Sequence, residues 1–449
     1  MGKIKRTLAI DLGASSGRGI VFEFDGENYT SKTIHRFPNG AIEREGKLYW
    51  DLSMLFEQIC LAISLANKTC GKLDAVGIDS WGVDIGFVDK FGNVVDNPRH
   101  YRDPSHANAR KSLSDKAWDF YKISGISDND FNTTYQLIAR KREGFDFSQI
   151  KYILFIPQLL GYMLTGKAVV EKTIASTCGF YRRDAGFCDE FLQTLGIDSS
   201  LFPPVINTGD IIGNLKKEIK DNIGLEYDLP IVATLGHDTA CAVRAVSFEK
   251  HPLYLSSGTW SLFGTLEDKP IITKQTFEKG YTNELAFDGR IRLLRNIMGM
   301  WIIQQCRKQW SDEGEDLSFE DIVELAKNAH DKGAFIDVDD DVFSYTTAMA
   351  DKVKEYVLKK QGIELKSKGE IALCVYVSLA KTYKRALDDL RAITQREYSV
   401  LYVLGGGSNN DFLNSLIEKE LRIKVVKGQS EASALGNAMC CVNAFAGKR

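Results

Sequence analysis

Apolar residues in this chain occur in short runs that end at turns rich in Gly, Ser and Thr. Residues 7–24 read TLAIDLGASSGRGIVFEF, and residues 252–267 read PLYLSSGTWSLFGTLE. Each segment has an apolar strand, a turn of small residues and a second apolar strand, which is typical of a β-hairpin. Because the hairpins open roughly the two halves of the chain, they predict two related domains that face each other.

Between the hairpins, helical and strand patterns alternate. Residues 52–66 carry apolar side chains at helical spacing, and residues 73–80 and 230–236 read as short buried strands. In the second half, the pattern predicts a long amphipathic helix over 371–392 and a strand over 399–404. This alternation predicts an α/β fold, with a mixed or mostly parallel sheet and helices on its faces.

The composition is that of a globular enzyme with more than one domain. The 449 residues exceed the roughly 100–200 of a usual domain, and we place a boundary that gives domains 1–244 and 245–449. The net charge of −3 argues against a nucleic-acid partner. None of the nine cysteines forms a C-x-x-C pair, and no stretch reaches the ~18–20 apolar residues of a membrane span. We therefore expect a soluble, cytoplasmic protein with reduced thiols and no membrane partner.

The turns of the two hairpins are candidate phosphate loops. In DLGASSGRG (11–19) and SSGTW (256–260), small residues let successive backbone amides approach an anion. Arg18 would add positive charge, Thr259 offers a hydroxyl, and Asp11 at a strand end suits a hydrated Mg²⁺. Either turn alone is equally well an ordinary hairpin turn. Together the two turns predict a clamp for a nucleotide triphosphate.

The segment GIDSWGVD (77–84) combines an aromatic ring with carboxylates. Asp79, Trp81 and Asp84 lie around a glycine there. A ring that packs on the C–H face of a sugar, next to acids that bond its hydroxyls, suits carbohydrate binding. The alternative is a strand end with a tryptophan in the core.

The segment GHDTACA (236–242) follows a buried strand and precedes a helix of small residues. A carboxylate at the carboxyl end of a strand is well placed for catalysis in an α/β fold, and Asp238 occupies that position. The alternative is that Asp238 only caps the helix, and His237 alone is more often a structural group. GGGSNN (405–410) is a glycine turn against which a flat adenine or ribose could rest.

The order of these motifs resembles that of the FGGY carbohydrate kinases, within the actin-like ATPase superfamily. DLGASSGRG, GIDSWGVD, GHDTACA, YLSSGTWSL and LGGGSNN follow the family's order across nearly the whole chain. The resemblance implies an α/β fold of two ribonuclease-H-like domains around an interdomain cleft for nucleotide and sugar.

The resemblance also implies roles for single residues. Asp238 resembles the proton acceptor. The expected ATP-binding residues are Ala14, Ser15, Ser16, Gly17, Arg18, Thr259, Gln304 and Gly406, and the expected sugar-binding residues are Gly82, His237, Asp238, Thr239 and Asn296. Trp81 and Asp84 are also expected to bind the sugar, because of the chemistry of their side chains. Asp11 and Asp238 are expected to hold Mg²⁺ through water.

The implied reaction transfers the γ-phosphoryl group of ATP to the 1-hydroxyl of a ketose. FNTTYQL (131–137), HDTA (237–240) and NIMGMW (296–301) resemble the members of the family that act on L-rhamnulose. L-fuculose, or another ketose or polyol, is the alternative substrate. The other open alternatives are a catalytically silent sugar sensor on the same fold and a structural ATPase. We expect a monomer or a homodimer.

Overall fold

The computed structural model describes residues 5–26, 28–344, 348–429 and 431–445. The chain divides into two compact units, the first formed by residues 1–245, 267–293 and 432–449 and the second by residues 246–266 and 294–431. The division into domains 1–244 and 245–449 stays a prediction. In the structure, two later segments, residues 267–293 and 432–449, also belong to the first unit, and this division does not include them there.

The described residues form twenty strands and sixteen α-helices. The strands are β1 (Lys5–Leu12), β2 (Ser16–Phe24), β3 (Tyr29–Pro38), β4 (Ala41–Arg44), β5 (Lys47–Trp50), β6 (Ala75–Ser80), β7 (Ile85–Asp89), β8 (Ile150–Phe155), β9 (Val170–Glu171), β10 (Tyr181–Arg182), β11 (Gly186–Phe187), β12 (Val205–Ile206), β13 (Ile211–Asn214), β14 (Pro230–Val232), β15 (Leu253–Ser257), β16 (Trp260–Glu267), β17 (Tyr281–Leu285), β18 (Ile291–Met298), β19 (Val400–Leu404) and β20 (Lys424–Lys427). The helices are α1 (Leu52–Cys70), α2 (Pro104–Lys111), α3 (Ala117–Ser124), α4 (Thr133–Arg142), α5 (Ile156–Thr165), α6 (Lys172–Ala175), α7 (Asp189–Leu195), α8 (Lys217–Ile223), α9 (Asp238–Arg244), α10 (Lys274–Glu278), α11 (Trp301–Asp312), α12 (Phe319–Lys327), α13 (Met349–Gln361), α14 (Lys368–Thr394), α15 (Asp411–Leu421) and α16 (Ala432–Asn443).

A six-stranded sheet in the order β13-β14-β6-β1-β2-β3 forms the centre of the first unit. β1 pairs antiparallel with β2 and parallel with β6, and β6 pairs parallel with β14. The register places Asp11 beside Arg18 on β2 and beside Asp79 on β6. The carboxyl ends of parallel strands lie at one edge of a sheet, and the side chains of the candidate site follow this edge.

Helix α16 belongs to the first unit although it lies near the C-terminus. It packs on β1, β6 and α9. A Cβ atom on Gly436 would lie 2.1 Å from the carbonyl oxygen of Cys241 in α9, so only glycine permits this close approach of the two helices.

In the second unit, the strand order is β18-β16-β15-β19-β20. Strand β17 and the first residues of β18 belong to the first unit. β15 pairs antiparallel with β16 and parallel with β19, as β1 does with β2 and β6. The second unit therefore repeats the hairpin of the first, and the predicted α/β class with two sheet-containing domains is confirmed. None of the helices in the described part of the chain combines the length and apolar character that a bilayer crossing needs.

Candidate active site

The turn between β1 and β2 is closed by its own backbone. The N–H of Gly13 donates to the carbonyl of Ser16 at 2.9 Å, and Asn39 binds the carbonyls of Ser15 and Gly13 through its N–H and its side-chain amide. Ser15 and Ser16 are exposed, and Ala14 is half-buried. The predicted phosphate segment is thus a braced turn with an accessible tip.

Gly17 and Arg18 follow this turn on β2 and have separate tasks. Gly17 is buried opposite Phe37, and a Cβ atom on it would lie 2.2 Å from the Phe37 ring. Gly17 is therefore required for packing, whether or not a phosphate lies nearby. The Arg18 guanidinium donates to Oδ2 of Asp11 from Nη2 at 2.7 Å and from Nε at 3.1 Å. The side chain predicted to bind phosphate and the carboxylate predicted to bind the metal therefore form an ion pair.

Three carboxylates form what we call the carboxylate cluster: Asp11, Asp79 and Asp238. Burial raises the pKa of Asp79 well above its ordinary value, and the negative charges of Asp11 and Asp238 raise it further, although a hydrogen bond from Asn437 opposes the shift. The Asn437 amide donates to Oδ2 of Asp79 at 2.6 Å, while Oδ1 is buried without a hydrogen-bond partner in the described part of the chain.

The carboxylate cluster suits a hydrated cation. Within the described ranges, no group of three or more His, Cys, Asp or Glu side chains is placed so that it could hold a metal ion. Mg²⁺ in kinases keeps several waters and uses one or two carboxylates, and a cation would also offset the mutual repulsion of these acids. Asp11 and Asp238 therefore fit water-mediated binding of Mg²⁺.

The segment 77–84 ends in a strained turn. The N–H of Asp84 donates to the carbonyl of Gly82 at 2.8 Å, and Val83 between them has φ 65°. This three-residue turn is the rare γ-turn with positive φ, which is unfavourable for a β-branched residue. Thr177 and Thr133 hold the N–H and the carbonyl of Val83 at 3.2 and 2.6 Å. Such strain is found preferentially at functional sites.

Asp84 is surrounded by donors from the protein. Its Oδ2 accepts from the indole N–H groups of Trp50 at 2.5 Å and Trp81 at 2.9 Å and from the Tyr101 N–H at 3.2 Å, and its Oδ1 accepts from Gln136 at 2.7 Å. The indole rings of Trp50 and Trp81 are packed with centroids 3.8 Å apart.

Burial raises the pKa of Asp84 to about 7, against the opposing effect of these hydrogen bonds. The contacts show Asp84 as the group that fixes both indoles. Sugar binding by Asp84 and by the largely buried Trp81 stays a prediction.

His237 and Asp238 stand where the strand edge meets helix α9. His237 is the N-cap residue without a side-chain cap, and Asp238 is the first helical residue. Oδ1 of Asp238 accepts from the N–H of Thr239 at 2.5 Å and from its hydroxyl at 3.1 Å. Buried Glu171 holds the N–H of Gly236 at 3.3 Å. Gly82 lies next to this turn, since a Cβ atom on it would be 3.6 Å from Cε1 of His237.

The predicted nucleotide residues of the second unit lie on segments that meet at the turn between β15 and β16. Gly407 packs on Ser257, and Gly406 beside it is exposed with open space around it. The carbonyls of Gly258 and Thr259 accept the N–H groups at the start of α11, whose first turn carries Gln304. Asn296 is half-buried on β18.

Two buried hydroxyls support a ligand at this place. The hydroxyl oxygens of Ser257 and Ser408 are buried and have no hydrogen-bond partner within the described ranges. Buried polar groups are normally satisfied. Orphaned hydroxyls beside an open glycine turn fit a polar ligand such as a nucleotide.

The N-terminal domain of the FGGY family of carbohydrate kinases matches residues 6–244, and its C-terminal domain matches residues 253–445. The chain belongs to the FGGY family. The prediction that it is a carbohydrate kinase is thereby confirmed, and an FGGY kinase uses ATP as the phosphoryl donor.

Several relatives along nearly the whole chain are rhamnulokinases. A rhamnulokinase from Bacteroides thetaiotaomicron is 37% identical over 96% of this chain and 89% of its own, and one from Enterococcus faecalis is 36% identical over 97% and 88%. In fold, the chain is similar to gluconate kinase from Lactobacillus acidophilus (TM-score 0.78, 19% identity, 100% of this chain and 90% of that one). It is also similar to Plasmodium falciparum glycerol kinase with ADP (TM-score 0.75, 14% identity, 98% and 90%).

Sequence reasoning missed several side chains of this FGGY site. They are Trp50, Gln136, Glu284, Arg292 and Asn437. A signal existed for Arg292, because it is a charged residue within the largely apolar strand β18, and a buried charge needs a partner. Glu284 gave no such signal, because its strand, β17, has the mostly polar sequence YTNEL. Trp50, Gln136 and Asn437 gave no such signal.

Proposed function

We propose that this protein transfers the γ-phosphoryl group of ATP to the 1-hydroxyl of L-rhamnulose, with Asp238 as the general base. The observation that carries the proposal is the accessibility of Asp238. Its side chain is 28% exposed, whereas that of Asp11 is 3% exposed and Asp79 and Asp84 are buried. Asp238 is therefore the carboxylate of this group that a sugar hydroxyl can reach.

The contacts of Asp238 leave one of its oxygens for the substrate. The described contacts with Thr239 and His237 all use Oδ1. Oδ2 is thus the atom that would accept the hydroxyl proton as the bond to phosphorus forms. Thr239 fixes the rotation of the carboxylate, which favours an in-line approach of the hydroxyl.

The remaining expected residues are assigned by the same proposal. The turn of Ala14, Ser15 and Ser16 and the open face at Gly406 would contact the nucleotide, with Thr259 and Gln304 beside it. Bound Mg²⁺, held through water by Asp11 and Asp238, would neutralise charge on the phosphates.

The relatives named rhamnulokinase, at 33–37% identity over 96–97% of the chain, support L-rhamnulose. The similar fold of Plasmodium falciparum glycerol kinase with ADP supports an adenine nucleotide. A cytoplasmic location and a monomeric or homodimeric state stay predictions.

The first test is a coupled ADP-release assay with L-rhamnulose, L-fuculose, L-ribulose, D-xylulose and glycerol. We expect the highest kcat/KM with L-rhamnulose, because sites that bind hydroxyls discriminate configuration strongly. A higher kcat/KM with L-fuculose than with L-rhamnulose would make L-fuculose the assigned substrate. A higher kcat/KM with glycerol or D-xylulose would overturn the assignment to a deoxy-ketose. ATP turnover that needs no sugar would indicate a structural ATPase.

The second test replaces the base. Asp238→Asn keeps the size of the side chain but removes the proton acceptor, and we expect kcat to fall at least ~10²-fold with a much smaller change in sugar affinity. Asp189→Asn is the matched control, because Asp189 is likewise the first residue of a seven-residue helix, α7, and is exposed. Near-normal turnover in a folded Asp238→Asn variant would contradict the assignment.

A further inference from the structure

Asn39 holds the turn between β1 and β2 through two hydrogen bonds. Its backbone N–H donates to the carbonyl of Ser15 at 3.1 Å, and its side-chain Nδ2 donates to the carbonyl of Gly13 at 2.8 Å. Oδ1 of Asn39 accepts the N–H of Gly40 at 2.9 Å, which orients the side-chain amide with Nδ2 towards Gly13. Strand β3 ends one residue before Asn39 and pairs with β2, so strand pairing places Asn39 next to the turn.

Most carbonyl oxygens of this turn are already bound by the protein, whereas two of its N–H groups are not. Asn39 binds the carbonyls of Gly13 and Ser15, and the N–H of Gly13 binds the carbonyl of Ser16. Within the described ranges, no backbone carbonyl accepts the N–H of Ala14 or Ser15. Because Ser15 and Ser16 are exposed, the turn has unused N–H donors at an accessible surface.

The side-chain bond of Asn39 sets the direction of one of these donors. A trans peptide group is planar, and its C=O and N–H point in opposite directions. Since Nδ2 of Asn39 fixes the carbonyl of Gly13, the N–H of Ala14 in the same peptide group points away from Asn39. Glycine has a wide choice of backbone conformations, so loss of the bond would let this peptide group rotate. Rotation would bring the carbonyl oxygen to the side of the N–H, and a carbonyl oxygen repels an anion.

We infer that Asn39 is a positioning residue that orients the Gly13–Ala14 peptide group so that the Ala14 N–H binds a phosphate oxygen of ATP. The inference rests on the proposed kinase function. Arg18, beside the turn, gives Nε and Nη2 to Asp11, so the backbone donors are the groups of the turn that are left for an anion. Asn39 acts on the nucleotide only through the peptide group that it holds.

The direct test observes the Ala14 amide in the wild-type protein. Labelling with ¹³C-carbonyl glycine and ¹⁵N-alanine isolates the Gly-Ala peptide groups of the chain, which are Gly13–Ala14, Gly40–Ala41 and Gly333–Ala334. The signal of Ala14 is assigned by its loss in Ala14→Ser. On titration with ATP, we expect the largest downfield shift of the amide proton at Ala14, because a hydrogen bond to an ionised oxygen is short and strong. A larger shift at either of the other two alanines would overturn the inference.

The kinetic test removes the side-chain bond. Asn39→Ala should raise KM for ATP about 10-fold, the scale of one hydrogen bond to a charged group, and leave KM for the ketose close to the wild-type value. The inhibition constant of adenosine, which has no phosphate, should also stay close to that value. Damage to the fold alone would weaken ATP and adenosine together.

A second variant and a control complete this test. Asn39→Asp keeps the size of the side chain and the acceptor for Gly40 but lacks the donor to Gly13, so it should raise KM for ATP at least as much as Asn39→Ala. Asn328→Ala is the matched control, because the Asn328 side chain likewise donates to a backbone carbonyl, that of Glu324, at 2.9 Å. It should leave KM for ATP unchanged.

The outcomes separate this inference from the proposed function. If the wild-type protein phosphorylates a sugar but folded Asn39→Ala and Asn39→Asp keep the wild-type KM for ATP, the inference is overturned and the proposed function stands. If neither variant folds, the shift of the Ala14 amide decides alone. If the wild-type protein phosphorylates none of the sugars, the proposed function fails, and the titration with ATP still decides whether the Ala14 N–H binds phosphate.

Discussion

The hydrogen bond from Trp50 to Asp84 should contribute more to stability at high pH than at low pH. Trp50→Phe removes the indole N–H that lies 2.5 Å from Oδ2 of Asp84 and keeps an aromatic ring against Trp81. Burial raises the pKa of Asp84 from 3.8 to about 7. The carboxyl is therefore mainly neutral at pH 5.5 and mainly ionised at pH 8.5.

The sign follows from the raised pKa. A carboxyl group that binds its proton more tightly in the folded state contributes stability that is present below pH 3.8 and lost as the pH rises through about 7. With one donor removed, the ionised form is less well stabilised, so the pKa rises further and the loss continues to higher pH.

The magnitude follows from the kind of hydrogen bond. A bond to a charged group contributes about 1.5–3 kcal/mol and a neutral one about 0.5–1.5 kcal/mol. The destabilisation by Trp50→Phe should therefore be about 1 kcal/mol larger at pH 8.5 than at pH 5.5, in addition to a constant cost for the smaller ring.

Urea unfolding followed by far-ultraviolet circular dichroism at the two pH values measures this difference. Trp301→Phe is the control, because the Trp301 indole donates to a neutral carbonyl, that of Phe343, at 3.2 Å. Its cost should be the same at both pH values. Equal costs of Trp50→Phe at pH 5.5 and 8.5, within about 0.5 kcal/mol, would refute the reasoning.

Three further predictions concern glycines in or next to the candidate nucleotide turns. Gly406→Ala should fold normally, because a Cβ atom there meets no protein atom within 4 Å. It should raise KM for ATP several-fold, because the new methyl group would occupy the open face proposed to contact the nucleotide. Gly407→Ala should destabilise the protein, because its Cβ atom would lie 2.0 Å from the Ser257 hydroxyl; steady-state kinetics and thermal melts separate the two effects. Gly17→Ala should displace the buried Phe37 ring and cost up to about 1.5–3 kcal/mol, and Phe37→Ala in the same chain should make this substitution nearly neutral. An equal cost in both backgrounds, measured by urea unfolding, would show that Phe37 is not the obstacle.

Local patterns correctly predicted those helices and strands whose apolar periodicity lies within the element itself. The helix expected over 371–392 is α14, Lys368–Thr394, and the strand expected over 399–404 is β19, Val400–Leu404. The strand expected over 230–236 ends earlier, at Val232, because Ala233 bonds to the loop at Gly209 and Asp210 instead of to a neighbouring strand. Apolar periodicity predicts which residues are buried, but it does not predict which backbone groups form hydrogen bonds with a neighbouring strand.

The order of the motifs predicted only part of the site. Asp238, His237 and Gly82 do lie together, but the side chains that hold the site in place come from residues distant in sequence. Glu284 contacts His237 across 47 positions, and Asn437 contacts Asp79 across 358. Neither contact has a local signature, because it depends on how β17 and α16 pack in the first unit.

The sequence by itself determined the α/β class, the two glycine-rich hairpins and the family, because these depend on short patterns whose residues are neighbours in the chain. Only the tertiary structure decided that Gly17 serves the packing of Phe37, that Asp84 fixes two indoles, and that α16 joins the first unit. The physical reason is that the partner of a buried polar or small side chain is chosen by strand pairing and helix packing, which bring together residues far apart in sequence.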